Sequence, residues 1–283
     1  MGINMTKVKI VTDSACTMEP GLAEKLGIKI VSLSVMVDDV IYRDADLDGD
    51  DFMDMMANAK ALPKTSQPPI GEFVEAYDEL GKDGSSVISI HLTNLLSGTV
   101  EAARQAAQIS KTDVTVIDST FADQGTSFQV IRAAEMALEG ATKEEIIQEV
   151  EKVKENTTLY IGVASLDNLV KGGRISRATG VLSNVFNIRV VMQLLDTGLE
   201  TMSKGRGAKA FMRWFEEVKK DIASKKNIRA IGISHANGLE IASYYKEELQ
   251  KLFPNMHIPV LTTSSTISTH TGKGAFAIMY YTD

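Results

Sequence analysis

SVISIHLTNLLSGTVEAARQAAQISKTDVTVID, residues Ser86–Asp118, is the stretch on which the fold class turns. Ser86 to His91 is a short apolar run of strand length. Thr99 to Ile109 is rich in alanine and has helical spacing, and Val114 to Asp118 is apolar again. Short apolar strands alternating with a helix argue for a parallel α/β sheet. Toward the N-terminus the pattern continues. KVKIVTDS, Lys7–Ser14, reads as a buried strand, GLAEKL as a helix, and Ile28–Val35 as a returning strand. Asp50–Ala59 has one apolar helical face. Pro63, Pro68 and Pro69 bracket a rigid turn, and Ile70–Leu80 resumes a helix. Ser127–Glu139 and Lys143–Asn156 complete the helices of this half, which ends near Asn156–Thr158.

The second half has another texture. Strand candidates are Leu159–Ala164, Val190–Leu194, Arg229–His235, Ile258–Thr262 and Phe276–Tyr281, with amphipathic helices at Lys209–Ala223 and Gly238–Leu252. This fits an α+β unit, and periodicity leaves strand direction open. The expectation is a two-domain chain: residues 1–158 an N-terminal parallel α/β sheet domain, residues 159–283 a C-terminal α+β domain.

Composition narrows the function classes. A chain of 283 residues, 44% hydrophobic, can bury a large core. The net charge of −7 argues against a nucleic-acid surface, although Lys and Arg cluster in KGGR and SKGRGAK. Cys16 is the sole cysteine, so no internal disulfide forms, and four histidines without paired spacing give no metal site. No run approaches the roughly 20 apolar residues of a membrane span, and the start has no secretory pattern. MGINMT matches the myristoylation pattern in letters and is read as coincidence. The expected location is cytoplasmic. Neither GxGxxG nor a P-loop occurs, so no nucleotide cofactor is implied. GRG at Gly205–Gly207 reads as a turn before a helix.

Chemistry-bearing residues collect in polar connections, and parallel α/β sheets place ligands beyond the carboxyl ends of their strands. Thr262–Phe276, TTSSTISTHTGKGAF, reads as a polar connection carrying His270, with many donors and little bulk, suited to a carboxylate or phosphate. Asp13 follows the first strand and serves either to cap the next helix or to bind a ligand through its neighbours. In KTSQPP, Thr65 and Ser66 present adjacent hydroxyls, and Pro68 holds Gln67 extended. In HLTNLLSGT, Ser97 and Gly98 precede a helix whose N-terminal N–H groups suit an anion; the alternative is that Ser97 or Thr99 is simply an N-cap. Asp118 and Ser119 form a further strand-end pair. In KGGRIS, Gly172 and Gly173 permit a tight turn, and Arg174 either contacts a partner or ligand or forms a structural salt bridge.

Taken together, VTDS, RDADLDGDDF, TSQPP, LSGT, VIDS, SLDNLVKGGRIS and HTGKGAFAI, in this order over nearly the whole chain, resemble the DegV family of bacterial fatty-acid-binding proteins, which includes the carriers of fatty acid kinase. The resemblance implies two domains with a long-chain fatty acid, such as palmitate or oleate, in an apolar tunnel. It implies carboxylate binding by Thr65, Ser97 and His270, with Ser66, Gly98 and Thr271 as neighbours. Arg174 is then the residue that docks a separate ATP-dependent kinase subunit, which phosphorylates the carboxylate. The carrier itself performs no chemistry, serves phospholipid metabolism, and makes at most transient peripheral membrane contact. Two departures bear on ligand preference rather than fold: Lys273 stands where proline is common, and TFADQGTSF brings Phe121 and Phe128.

The physical reading agrees. Hydroxyls and an imidazole can hold a carboxylate. Each buried methylene contributes roughly 0.8 kcal/mol, so the tail can supply most of the affinity. Among the 13 methionines, Met53, Met55, Met56, Met192 and Met212 are adaptable lining candidates or ordinary core. The competing reading is a hydrolase or transferase using Ser97 with His270, Asp118 being the available orienting acid. A third is an interaction protein with no small ligand.

Overall fold

The computed structural model describes residues 7–180 and 188–283; MGINMT lies outside them. Strand β1 (Val8–Asp13) leads through the short helix α1 (Leu22–Lys25) to β2 (Lys29–Val31). The expected single strand Ile28–Val35 is broken. Ser32 turns its hydroxyl onto the Leu33 carbonyl and accepts from Ala45 N at 3.0 Å, and Leu33 N donates to Ser14 Oγ at 3.0 Å. These side-chain bonds end one ladder and let the next begin. β3 (Ser34–Val37) and β4 (Val40–Arg43) form a hairpin, joined to β5 (Lys64–Ser66) in a separate antiparallel sheet, β4-β3-β5. Asp38 and Asp39, both at positive φ, make its two-residue turn. The rigid turn expected between Pro63 and Pro68 is therefore a strand, with Thr65 opposite Val35.

Helices α2 (Gly49–Asn58) and α3 (Ile70–Leu80) follow, then β6 (Ser86–His91), α4 (Thr99–Ile109) and β7 (Val114–Asp118). The main sheet of this half, β2-β1-β6-β7, is wholly parallel, as expected. Its strands are apolar on both faces because both are covered. Val11 and Val87 pack on Phe73, Tyr77 and Ala103 from α3 and α4. Ile10, Ile88 and Ile90 face the other way, onto Val130, Ile146 and Val150 of α5 (Asp123–Leu138) and α6 (Lys143–Glu155). Cys16 is buried beside Ser127, and burial pushes its thiol up to about 12.

Helix α5 starts four residues before its expected start at Ser127. Asp123 through Val130 are all buried, so the amphipathic signal that locates a surface helix is missing there. The cause is position: α5 packs on β1 and β6 on one side and on β8 (Thr157–Val163), β12 (Ile228–Ala236) and β14 (Ala275–Thr282) on the other. Its polar residues are matched across that contact. Gln124 Nε2 donates to Ile233 O at 2.8 Å, and Asp123 accepts from Ser234 Oγ at 2.6 Å and from Thr263.

The second region is built on a seven-stranded mixed sheet in the order β13 (Val260–Thr262), β12, β14, β8, β10 (Arg189–Leu195), β11 (Gly198–Gly205) and β9 (Ala178–Thr179). It includes the helices α7 (Asp167–Lys171), α8 (Lys209–Ser224) and α9 (Leu239–Leu252). Trp214, Phe215, Tyr245 and Phe276 form the aromatic centre between the sheet and α8 and α9. The expected polar connection Thr262–Phe276 contains a helix, α10 (Ser265–Thr271). Ser264 caps it by accepting from Ile267 N at 3.2 Å, and the hydroxyls of Ser268, Thr269 and Thr271 bond back to carbonyls four residues earlier. That local satisfaction lets a Ser/Thr run stay helical. Gly272, at φ 78°, ends it. Among the described residues no helix is long and apolar enough to cross a membrane.

Candidate functional site

A cavity of about 350 Å³ lies between the connections that follow β2, β6 and β7, which contribute Leu33, Leu92 and Ala122, and the mixed sheet, which contributes Ile161 and Met192. Leu33 and Leu92 line it from the first region, and Val163, Leu169, Met192 and Leu199 from the second. Its polar wall brings together every residue the sequence singled out for the head group and docking: Thr65 and Ser66 from β5, Ser97 and Gly98 before α4, His270 and Thr271 from α10, and Arg174 after α7.

His270 is the centre of this wall. Its Nε2 is 2.8 Å from Thr65 Oγ1. Its Nδ1 is buried with no hydrogen-bond partner among the described residues and faces the backbone of Gly172, where a Cβ would come within 2.4 Å of it. Burial, reinforced by the nearby Arg174 cation, pulls the imidazole from its ordinary 6.5 down to about 4. The ring is therefore neutral at pH 7 and offers a hydrogen bond rather than a charge. With Nδ1 walled off, Nε2 is the atom available to the cavity side. Gly172 is in right-handed backbone, so glycine is needed there for close approach; Gly173, at φ 76°, is the one needed for the turn.

Arg174 supplies the charge. It is half-buried, with Nε donating to Leu96 O at 3.2 Å and Nη1 to Gly172 O at 2.9 Å. No carboxylate reaches it among the described residues, so the salt-bridge alternative is not what its geometry displays. Burial, then repulsion from Arg177, lowers its pKa. A cation bonded only to carbonyl oxygens beside a cavity suits an anion.

Ser97 is engaged locally. Its Oγ lies 2.8 Å from Thr99 Oγ1 and accepts from Thr99 N at 3.3 Å, while Gly98 takes the N-cap position of α4. The hydrolase alternative required Ser97 against His270, but His270 pairs with Thr65. Asp118 accepts instead from Thr120 N and Asn94 N. Asp13 caps no helix. Fully buried, it accepts from Ala15 N, Leu92 N and His91 Nδ1, holding the ends of β1 and β6 together. Sequence reading missed that His91 Nε2 also meets Ser89 Oγ at 2.6 Å. This Ser–His–Asp series is completely buried in the first region and lines neither the head-group cavity nor the two smaller ones among the described residues, which makes it a packing network. Also missed was Gln67, whose Oε1 lies over Gly98 where a Cβ would stand 2.0 Å from it. Its place in TSQPP, beside two candidate residues, was the available signal. Of the two departures, Lys273 is exposed after α10, and Phe121 and Phe128 are buried.

The model of the DegV family, described as uncharacterised proteins of that family, matches residues 7–283. The chain is 53% identical to the DegV domain-containing protein YejH of Lactococcus lactis subsp. lactis, over 96% of this chain and 98% of that protein. It is 52% identical to a DegV domain-containing protein of Streptococcus pneumoniae serotype 4, over 97% and 98%. Among solved structures it resembles DegV, a fatty acid binding protein from Bacillus subtilis, with TM-score 0.89 and 31% identity over 98% of this chain and 100% of that one. A DegV family protein from Thermus thermophilus, described by its fatty acid binding, superposes with TM-score 0.88 at 28% identity, over 98% and 100%.

Proposed function

This chain belongs to the DegV family, and from that premise we propose that it binds a long-chain fatty acid and presents the carboxylate to a separate ATP-dependent kinase subunit for acyl-phosphate formation. The observation that carries the reading is the cavity itself: apolar walls from both regions end in the Thr65–His270 pair, Ser97 and Arg174. The tail lies along Leu92, Val163, Met192 and Leu199. The carboxylate takes the hydrogen bonds of Thr65, Ser97 and neutral His270, and Arg174 balances its charge. Ser66, Gly98 and Thr271 complete the wall around the head. Arg174 is also the docking residue for the kinase, since it is only half-buried. We put the division between an N-terminal α/β domain and a C-terminal α+β domain near residue 158, because α6 ends at Glu155 and the chain enters the mixed sheet at Thr157. The ligand site then lies between the two.

Native mass spectrometry of the purified chain, before and after delipidation, tests the binding reading. A co-purifying species with the mass of a long-chain fatty acid is expected, and oleate or palmitate should rebind. Repeated preparations holding no lipid and binding none would overturn it.

A further inference from the structure

The motif RDADLDGDDF contains a buried carboxylate that lies outside the lining of the head-group cavity. Asp44 follows β4 and is 3% exposed. Its Oδ1 accepts from Thr266 N at 2.8 Å and from the Ser265 hydroxyl, both in the first turn of α10. Its Oδ2 accepts from Ser14 Oγ at 2.5 Å, and its own N–H donates to Leu33 O at 2.9 Å. One side chain thus ties the end of β1, the three-stranded sheet and α10.

The consequence lies at the far end of α10. This helix has seven residues, most of them Ser or Thr, so it has little stability of its own. A carboxylate at its first turn satisfies an otherwise unpaired N–H and complements the helix dipole. Thr65 stands on β5 and His270 near the end of α10, and the sheet that carries β5 also carries β4, which delivers Asp44. Sheet and helix are therefore pinned at two points, the Asp44 clamp and the 2.8 Å Thr65–His270 contact. We propose that Asp44 is a positioning residue for the head-group wall: by fixing the first turn of α10 to the three-stranded sheet, it holds His270 Nε2 within reach of Thr65 and of the ligand. The affinity consequence rests on the fatty-acid reading above; the geometric consequence does not.

The test is a double-mutant cycle with Asp44→Ala, His270→Ala and the double variant, measured by calorimetric titration with oleate. Imidazole nitrogen NMR of ligand-free protein accompanies it. Asp44→Ala should weaken oleate binding about ten-fold, the loss expected for a misplaced hydrogen bond to a charged group. In the His270→Ala background it should cost little more, because both changes remove one contact. Independent, additive losses, or wild-type affinity in Asp44→Ala, would overturn the proposal. A purely stabilising Asp44 would lower the melting temperature and leave the His270 ring signals in place; the proposal requires those signals to shift without ligand. If the wild-type chain binds no oleate, the fatty-acid reading fails while the NMR arm still decides the role of Asp44. Should Asp44→Ala not fold, Ser265→Ala, which deletes one donor to Asp44, should move the His270 signals the same way by less; unmoved signals would overturn the proposal.

Discussion

Adding one methyl group at Gly172 tests how tightly His270 is packed. An ideal Cβ there would lie 2.4 Å from His270 Nδ1, 3.0 Å from its Cε1 and 2.8 Å from Asn168 O. Ordinary contact needs about 3.4 Å or more, so the ring must retreat by roughly 1 Å. The Asn168 carbonyl belongs to the α7 backbone and cannot swing away, so the imidazole has to yield. Starting from 2.8 Å to Thr65 Oγ1, a shift of that size away from Gly172 reorients the ring and spoils the hydrogen-bond geometry. A lost hydrogen bond to a carboxylate costs about 1.5–3 kcal/mol, or about ten-fold to a hundred-fold in affinity. Overpacking adds about 1–3 kcal/mol of destabilisation. Gly173→Ala is the control. Among the described residues no atom outside its own chain neighbours lies within 4 Å of its Cβ, and the penalty is the positive φ, about 1–2 kcal/mol of stability. Calorimetric titration with oleate and urea unfolding, run on both variants, separate the two effects. Gly172→Ala should lose affinity, whereas Gly173→Ala should lose stability and keep affinity. Wild-type affinity in Gly172→Ala, or equal affinity losses in both, would refute the placement of His270 against this turn.

Ser97→Ala and His270→Ala should each weaken oleate binding by about 1.5–3 kcal/mol while circular dichroism stays native; unchanged affinity in both would remove the head-group assignment. Arg174→Ala should weaken oleate binding, because the guanidinium balances the carboxylate, and should also reduce phosphorylation by an added kinase subunit when the carrier is saturated with oleate; normal turnover at saturation would remove the docking role, and unchanged affinity would remove the charge-balancing role. The His270 imidazole, held near 4 instead of 6.5, binds its proton in the unfolded chain first. Its contribution to stability is thus present at neutral pH and is lost as pH falls from about 6.5 toward 4, so urea midpoints of wild type should fall more steeply across this window than those of His270→Gln; parallel curves would contradict it. Thr142 and Glu145 form a reciprocal capping box at the start of α6, so Thr142→Ala should cost about 1 kcal/mol in urea unfolding with oleate affinity unaltered.

The sequence by itself determined the parallel sheet of the first half, because strands covered on both faces carry apolar residues toward each, as at Ile10 and Val11 or Val87 and Ile88. It also picked out the segments that line the polar wall, since hydroxyl, glycine and imidazole groups stand out in KTSQPP, HLTNLLSGT, KGGRIS and TTSSTISTHTGKGAF. It did not reveal the β3–β4 hairpin, although VMVDDVIYR carries an Asp–Asp turn between alternating residues, nor the early start of α5, where burial on all sides erases the amphipathic pattern. The helix at Ser265–Thr271 was hidden for a related reason: its residues favour turns, and its first turn is held not by the local Ser264 cap alone but also by Asp44, distant in sequence. Arg174 and His270 were legible as residue types and not as states. Whether the imidazole is neutral, and whether the guanidinium finds a carboxylate, depends on burial and on neighbours about a hundred residues away in the chain. Local pattern is set by the backbone period and side-chain polarity; desolvation and long-range hydrogen bonding exist only once the chain has closed on itself.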